Sequence, residues 1–195
     1  FHIKITKNIP QKSGLGGGSM NAASILRYLI QKRIIKIKKK QILEITKNIG
    51  SDVILGLEST NLILTSKNKI ISFKNCKKLF TLIVKPNFGC STKYIYSRVK
   101  KFDKIKFDKP NREMFKFDFL KTMQNSLEQI AFTKYSVLKK IKSYLSNLEN
   151  PIFVRMSGSG SAIVSYYYSK KQCDKAQKQV NKHFKNYWCI SSKTI

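Results

Sequence analysis

Apolar and polar residues recur along the first third of the chain at spacings that predict one strand, two helices and a hairpin. Alternation predicts a strand, recurrence every three or four residues predicts a helix, and Ser66-Lys67-Asn68 between two apolar runs predicts a turn. Gly50 follows the second helical pattern and suits its C-terminal cap. In chain order these predicted elements span residues 2–6, 19–33, 41–49, 61–65 and 69–73.

The rest of the chain alternates apolar runs with helical patterns in the same way. Strands are predicted over residues 79–84, 152–156, 162–168 and 187–190, and helices over residues 92–99, 117–131, 135–148 and 170–184. Residues 100–112 are charged and poorly patterned, which predicts a surface loop. Strands that alternate with helices and helix pairs predict an α+β sandwich. We expect a domain boundary near Lys77, with one domain over 1–77 and another over 78–195.

A glycine-rich segment separates the first predicted strand from the first predicted helix. Four glycines in five positions let the backbone adopt positive φ and let N–H groups surround an oxyanion. The unpaired N–H groups and the positive dipole end of the following helix favour phosphate. The candidate phosphate-binding residues are Ser13, Gly14, Leu15, Gly16, Gly17, Gly18, Ser19, Met20, Asn21, Ala22 and Ala23.

This segment matches neither of the two commonest phosphate-binding motifs. No Lys-Ser or Lys-Thr pair closes it, and its spacing is Gly-x-Gly-Gly-Gly instead of Gly-x-Gly-x-x-Gly. Glycine-rich turns before helices also serve as simple connectors, so a connector is the alternative interpretation. The context from Pro10 to Ala23 favours phosphate binding.

Pro10 to Ala23 resembles the ATP-phosphate loop of the GHMP kinase superfamily, and four further segments resemble that superfamily in the same order. They are Gly50-Ser51-Asp52-Val53, Pro86 to Tyr96 with Ser91-Thr92, Asn125-Ser126-Leu127-Glu128, and the second glycine loop Met156 to Ser161. The triple glycine followed by Ser-x-Asn-Ala-Ala most resembles the branch that acts on 4-diphosphocytidyl-2-C-methyl-D-erythritol in non-mevalonate isoprenoid biosynthesis.

The resemblance implies the GHMP kinase fold, with a ribosomal-S5-domain-2-like first part and a ferredoxin-like second part. It also implies ATP and Mg²⁺ as cofactors, the 2-hydroxyl of that methylerythritol as acceptor, and Asp52 as the group that orients or deprotonates the hydroxyl. The resemblance further implies that Thr92, Gly158, Ser159 and Gly160 contact the substrate or close the site. Ser19 is the best hydroxyl for phosphate or metal, while the metal's protein ligands stay unknown. Glu128 is expected to be structural.

The chain also departs from the superfamily pattern. It starts at Phe1 without a methionine. We therefore expect it to lack the family's beginning, which carries a catalytic lysine and a Tyr-His pair, and expect activity of these residues alone to be impaired. Met20 replaces the usual second serine after the triple glycine. Ile54 replaces a frequent proline after the Gly-Ser-Asp-Val segment.

Charge is the competing feature, because 39 Lys and Arg face 10 Asp and Glu for a formal charge of +29. Such an excess attracts polyanions. The cations are spread along the chain, however, and the densest run, Lys36 to Lys40, suits a solvated connection.

Four widely separated cysteines without C-x-x-C spacing suggest reduced thiols and no zinc. We expect a cytoplasmic protein with a small-molecule substrate, no membrane association and no specific nucleic acid.

Several alternatives stay open on the sequence. Another GHMP kinase, of the homoserine or mevalonate type, would share most of these motifs. A basic nucleic-acid-binding module on a related scaffold would explain the charge, and an inactive truncated copy would explain the departures. A homodimer is one assembly that the resemblance allows.

Overall fold

The computed structural model describes residues 2–67, 69–100 and 109–195, apart from the side chain of Lys39. The described helices are α1 (Gly17–Gln31), α2 (Lys39–Ile49), α3 (Thr92–Ser97), α4 (Phe117–Thr122), α5 (Glu128–Lys134), α6 (Ser136–Ser146) and α7 (Lys170–His183). The described strands are β1 (Asn61–Leu64), β2 (Ile70–Phe73), β3 (Phe80–Lys85), β4 (Phe153–Met156), β5 (Ile163–Tyr167) and β6 (Trp188–Lys193).

The chain forms two compact units. Among described residues, the first unit contains 2–15, 78–100 and 116–194. The second contains the described part of 16–77, together with 109–115 and Ile195. The boundary between units therefore falls inside the glycine-rich segment, between Leu15 and Gly16.

The first unit is built on a four-stranded antiparallel sheet with the order β4-β5-β3-β6. Its β3–helices–β4–β5–α7–β6 sequence is the ferredoxin-like arrangement. The central strand β3 is the continuous apolar run of the sequence, and its Leu82 and Val84 are fully buried. A strand buried on both faces needs no alternation, which is why this run predicts a central strand. The α+β class is confirmed.

Helices α6 and α7 cover one face of this sheet. In α6, Leu138, Ile141 and Leu145 are fully buried, and their spacing of three and four residues places them on one side of the helix. In α7, Ala176 and Val180 are also fully buried, and their spacing of four residues places them on one side of that helix. Each large apolar side chain buried in this way contributes about 1.5–3 kcal/mol of transfer free energy.

The second unit combines α1, α2, a 3₁₀ turn at Ile54–Leu57 and the β1–β2 hairpin. Ala23 and Leu26 of α1 are buried, and Arg27 donates from Nη2 to the carbonyl of Gly56 in the 3₁₀ turn. The predicted hairpin is confirmed, with Leu62 opposite Ser72. Asn68, which the sequence places in its turn, lies outside the described residues. Within this unit the hairpin also contacts residues 109–115, through the rings of Phe73 and Phe115, 5.2 Å apart.

The strand predicted over 2–6 is wrong. Residues 2–8 have no regular secondary structure, and Ile3 and Ile5 are 55% and 49% exposed. Apolar alternation yields a strand only where a neighbouring strand supplies hydrogen-bond partners for the backbone. The surface loop predicted over 100–112 lies largely outside the described residues, since 101–108 are not described.

The single helix predicted over 117–131 is also wrong, because α4 ends at Thr122 and α5 begins at Glu128. The break is stabilised by Asn125. Its side-chain amide donates to the carbonyls of Met156 and Gly158, at 2.9 and 2.7 Å, and its Oδ1 accepts the N–H of Leu127. An Asn side chain that bonds nearby backbone in this way competes with helix formation.

Glu128 joins three elements of the first unit. Its Oε1 accepts the N–H of Met156 at 2.9 Å, and its Oε2 lies 2.5 Å from Nζ of Lys142 in α6. Its side chain is only 15% exposed. The carboxylate thus satisfies the backbone of β4 and the charge of α6 at once, which agrees with the structural role expected for it.

We expect Glu128→Ala to lower the free energy of unfolding of the first unit by about 2–3 kcal/mol, because a buried N–H and a half-buried ammonium both lose their acceptor. The measurement is urea unfolding followed by fluorescence of Trp188, the chain's one tryptophan, which lies in β6. Glu44→Ala is the matched control, since Glu44 is exposed on α2 and its change should stay within about 0.5 kcal/mol. Equal losses in both variants would contradict this role.

Candidate active site

Gly14, from the glycine-rich segment, lies against the second glycine loop within the first unit. Oγ of Ser157 donates to the carbonyl of Gly14 at 2.9 Å. Gly14 has φ +73, and a Cβ there would lie 2.2 Å from the carbonyl oxygen of Ser157 and 2.9 Å from the nitrogen of Gly160. Both the conformation and the space therefore require glycine at this position.

The second glycine loop also requires glycine where it approaches the glycine-rich segment. Gly158 has φ +49, and a Cβ there would lie 2.9 Å from the carbonyl oxygen of Gly14. Gly160 has φ +85 and lies over the side chain of Met156. The N–H of Ala162 donates to the carbonyl of Ser13 at 2.9 Å, and Ser13 is 4% exposed. Ser13 is thus a buried link between the two loops.

The start of α3 contacts the same loop through side chains. Oγ1 of Thr92 and Oγ of Ser159 are 2.9 Å apart, and Ser159 is 7% exposed. Ser91 is the N-cap of α3, where its Oγ accepts the N–H of Tyr94. Tyr96 is 58% exposed. The structure therefore brings Thr92, Ser159, Gly158, Gly160, Ser13 and Gly14 together in one unit.

The opening of α1 leaves backbone donors available. Gly16 is the N-cap with φ 67 and ψ 17, and the N–H of Met20 makes the first helical bond to its carbonyl. Among described residues no side chain caps this end, and the first turn has no acidic residue. A Cβ at Gly18 would meet nothing within 4 Å. The N–H groups of Gly17, Gly18 and Ser19 thus resemble an anion-binding helix end.

The remaining residues of the segment differ in exposure, from fully buried to 40% exposed. Ala23 is fully buried in the second unit, so its side chain packs in the core. Met20 is 40% exposed, and its Cε lies 2.5 Å from the position that a Cβ on Gly56 would take. Leu15, Asn21 and Ala22 are partly buried. Met20 therefore packs on the 3₁₀ turn, where the serine usual in the family would not reach as far.

Asp52 lies in that same unit, immediately before the 3₁₀ turn. Its side chain is exposed, and its Oδ1 accepts from Oγ of Ser51 at 3.2 Å. Its carbonyl accepts the N–H of Leu55, and the neighbouring Val53 is 1% exposed. A buried anchor beside an exposed carboxylate fixes the backbone while it leaves the carboxylate free to meet a ligand.

Sequence reasoning placed Ser157 in the second glycine loop but missed its bond to Gly14, and it missed the anchoring role of Asn125. Ser157 is separated from Gly14 by 143 residues, so no local pattern could pair them. Asn125 gave one signal, since asparagine is unfavourable inside the helix that apolar spacing predicts there.

Within residues 2–67, 69–100 and 109–195, no group of three or more His, Cys, Asp or Glu could hold a metal ion. In the same ranges, no helix is long and apolar enough to cross a membrane.

Burial raises the pKa of the Cys90 thiol to about 11, so this cysteine is a neutral thiol at physiological pH.

A cavity of about 680 Å³ lies within the second unit, and Ile54 and Leu57 of the 3₁₀ turn form part of its lining. Most of its lining is apolar and comes from α1, α2 and β2, including Ile30, Leu43 and Ile71. No candidate site residue contributes to it.

Comparison with known proteins places the chain in a family. The sequence profile described as GHMP kinases N terminal domain matches residues 1–62. The chain is 55% identical over all 195 residues to a 4-diphosphocytidyl-2-C-methyl-D-erythritol kinase of Pelagibacter ubique (strain HTCC1062), of which it covers 69%. It is 37% identical over 174 residues to the kinase of the same name from Clostridium botulinum (strain Loch Maree / Type A3), of which it covers 61%.

Solved structures agree with the fold. A crystal structure of 4-(cytidine 5'-diphospho)-2C-methyl-D-erythritol kinase matches with a TM-score of 0.76 and 22% identity, over 95% of this chain and 68% of that one. A homoserine kinase from Cytophaga hutchinsonii matches with a TM-score of 0.70 and 16% identity, over 97% and 68%. The expected GHMP kinase fold is confirmed, and the chain spans about two thirds of the length of its relatives. Its full-length match at 55% identity shows that the chain belongs to the GHMP kinases, in the 4-diphosphocytidyl-2-C-methyl-D-erythritol kinase family.

Proposed function

We propose that this chain binds ATP and takes part in transfer of its γ-phosphate to the 2-hydroxyl of 4-diphosphocytidyl-2-C-methyl-D-erythritol, in cytoplasmic non-mevalonate isoprenoid biosynthesis. The names of the relatives support the reaction, and the site supports the nucleotide. In this proposal residues 1–77 supply the ATP side, and residues 78–195 form the second domain of the kinase.

The observation that carries the proposal is the opening of α1. Its first N–H groups have no side-chain cap among described residues, and a Cβ on Gly16 or Gly18 would meet no described atom within 4 Å. Three N–H donors and the positive end of a 15-residue helix dipole favour the phosphate chain of a nucleotide. The residues proposed to bind ATP are those from Ser13 to Ala23, with Ala23 acting through the core packing of the helix.

Asp52 is the proposed catalytic group. Phosphoryl transfer to an alcohol depends on the position of the hydroxyl and on neutralisation of charge, and one carboxylate can orient the hydroxyl and accept its proton. Asp52 is exposed, and its backbone is anchored by the buried Val53. These properties suit a carboxylate that must meet a substrate in a fixed position.

The residues of the chain could supply a few of the oxygen ligands of Mg²⁺, but not a complete set. Mg²⁺ in phosphoryl-transfer sites is bound by one or two carboxylates, by substrate phosphates and by water. The hydroxyl of Ser19 and the carboxylate of Asp52 are oxygen donors of the right kind, and both belong to the second unit. When bound, the ion would offset charge on the phosphates. Thr92, Gly158, Ser159 and Gly160 are proposed to close the site or to contact the acceptor.

A direct assay separates this proposal from its alternatives. The full-length natural protein that carries these residues is incubated with ATP, Mg²⁺ and one of three acceptors: 4-diphosphocytidyl-2-C-methyl-D-erythritol, homoserine or mevalonate. We expect phosphorylation of the first alone. Preference for another acceptor would move the protein to another GHMP kinase type, while tight, salt-resistant nucleic-acid binding without transfer would favour the basic binding module. Sedimentation of the same sample tests whether the protein forms the homodimer that the resemblance allows.

We expect Asp52→Asn to lower kcat by about 10²–10⁴-fold, because the amide keeps the shape of the carboxylate and loses its basicity. The dissociation constant of ATP should stay within about threefold, since this side chain is assigned to the acceptor. Steady-state kinetics and calorimetric titration with ATP measure the two effects. Asp118→Asn, at an exposed position of α4, makes the same chemical change and should leave both values unchanged. Wild-type turnover in Asp52→Asn would remove this residue from the mechanism.

We expect Gly18→Val to abolish detectable ATP binding in calorimetric titration. The Cα–Cβ bonds of a helix tilt toward its N-terminus, so the added side chain would extend into the space before the free N–H groups. A Cβ on Gly18 would meet no described protein atom within 4 Å, so we expect the fold to be kept, and the far-ultraviolet circular dichroism spectrum measures this. Ser24→Val, exposed further along α1, is the control. Retained ATP affinity in a folded Gly18→Val variant would refute the loop assignment.

A further inference from the structure

Lys85 is buried, although lysine is almost always exposed. It is the last residue of β3 and is 5% exposed, and among the described residues no other charged side chain is classed as buried. Burial costs an ammonium much of its hydration, and that cost lowers the pKa of Lys85. A buried lysine adds nothing to the solubility that the many exposed lysines and arginines already give the chain. We therefore expect local hydrogen bonds to explain the burial of this ammonium.

The ammonium of Lys85 is bonded to the turn that directly follows it. Nζ donates to the carbonyl of Pro86 at 2.8 Å and to the carbonyl of Phe88 at 2.9 Å. Two charge-assisted hydrogen bonds to carbonyls one and three residues ahead fold the chain sharply after the strand. Lys85 thus holds residues 86–91 in their turn.

That turn contacts both glycine-rich loops within the first unit. The carbonyl of Phe88 accepts a second hydrogen bond, from Oγ of the fully buried Ser161, at 2.7 Å. A Cβ on Gly89 would lie 2.4 Å from Cβ of Lys12 and 3.0 Å from its carbonyl oxygen. The turn therefore fits closely against residues before and after it in the chain, and a small displacement would break both contacts.

The turn also leads directly into α3. Cys90, at the end of the turn, is 1% exposed, Ser91 caps α3, and Thr92 lies 2.9 Å from Ser159. The position of Thr92 therefore depends on the shape of the turn before it.

We propose that Lys85 is a positioning residue for the acceptor side of the site: its ammonium holds the 86–91 turn so that Thr92 meets Ser159 at the second glycine loop. This inference rests on the proposed function for the acceptor, but the geometry of the turn can be tested without any reaction. Burying an apolar residue at this strand end would cost less free energy than burying an ammonium, but an apolar residue could not hold two carbonyls in place.

The first test measures the turn through Cys90. We expect Lys85→Met to increase the rate of Cys90 alkylation by N-ethylmaleimide about tenfold or more, measured by peptide mass spectrometry. The direction is diagnostic, because loss of the nearby ammonium raises the pKa of the Cys90 thiol further and by itself would slow the reaction. Cys173, 1% exposed in α7, is the internal control and should stay unreactive. Lys193→Met, on exposed β6, should match the wild-type protein.

The second test measures the acceptor side in the full-length natural protein. We expect Lys85→Met to increase KM for 4-diphosphocytidyl-2-C-methyl-D-erythritol about tenfold, with KM for ATP within about threefold, since the bonds from Ser157 to Gly14 and from Ala162 to Ser13 do not involve Lys85. Ser161→Ala removes the other donor to the Phe88 carbonyl. Its effect and that of Lys85→Met should combine to less than their product, as expected for two groups that share one partner.

The outcomes separate the inference from the proposed function. Cys90 alkylation as slow as in the wild-type protein would refute the role of Lys85 in the turn. Equal changes in KM for both substrates would refute its assignment to the acceptor side. If the wild-type protein transfers no phosphate while Cys90 becomes reactive in Lys85→Met, the proposed function fails, and Lys85 holds the turn for the fold alone.

Discussion

The close approach of two backbone segments, at Gly14 and at Gly158, is the constraint on which the first unit depends. The gap between them has no room for a Cβ, and both residues adopt positive φ. The hydrogen bonds from Ser157 to Gly14 and from Ala162 to Ser13 close the junction. Only glycine meets both requirements, so glycine is needed on each side of this junction.

Three polar side chains from different elements support this junction. Asn125 holds the carbonyls of Met156 and Gly158, Glu128 accepts the N–H of Met156, and Lys85 holds the turn that Ser161 also contacts. Each is costly to bury without partners, and each is bonded to backbone. Asn125 and Glu128 therefore fix the main chain at Met156 and Gly158, and Lys85 fixes the adjoining turn. A purely apolar core could not do this with the same directionality.

The second unit supplies the features proposed to meet the nucleotide. Its helix α1 begins at Gly17, and among the described residues no side chain caps that end. The same helix packs through Ala23, Leu26 and Arg27 within that unit. Core packing thus fixes the direction in which the free N–H groups point. The overall charge of +29 favours anions in general, whereas the start of α1 is the specific place proposed for the phosphates.

The sequence by itself determined the α+β class, the glycine-rich segment before α1, the hairpin and the central strand β3, because each follows from local periodicity or from backbone freedom at glycine. Tertiary structure alone decided three things. It left residues 2–8 without strand pairing, it broke the predicted helix 117–131 at Asn125, and it buried Lys85 against its own turn. All three depend on partners distant in sequence or on solvent exclusion, and no local pattern encodes where such partners will lie.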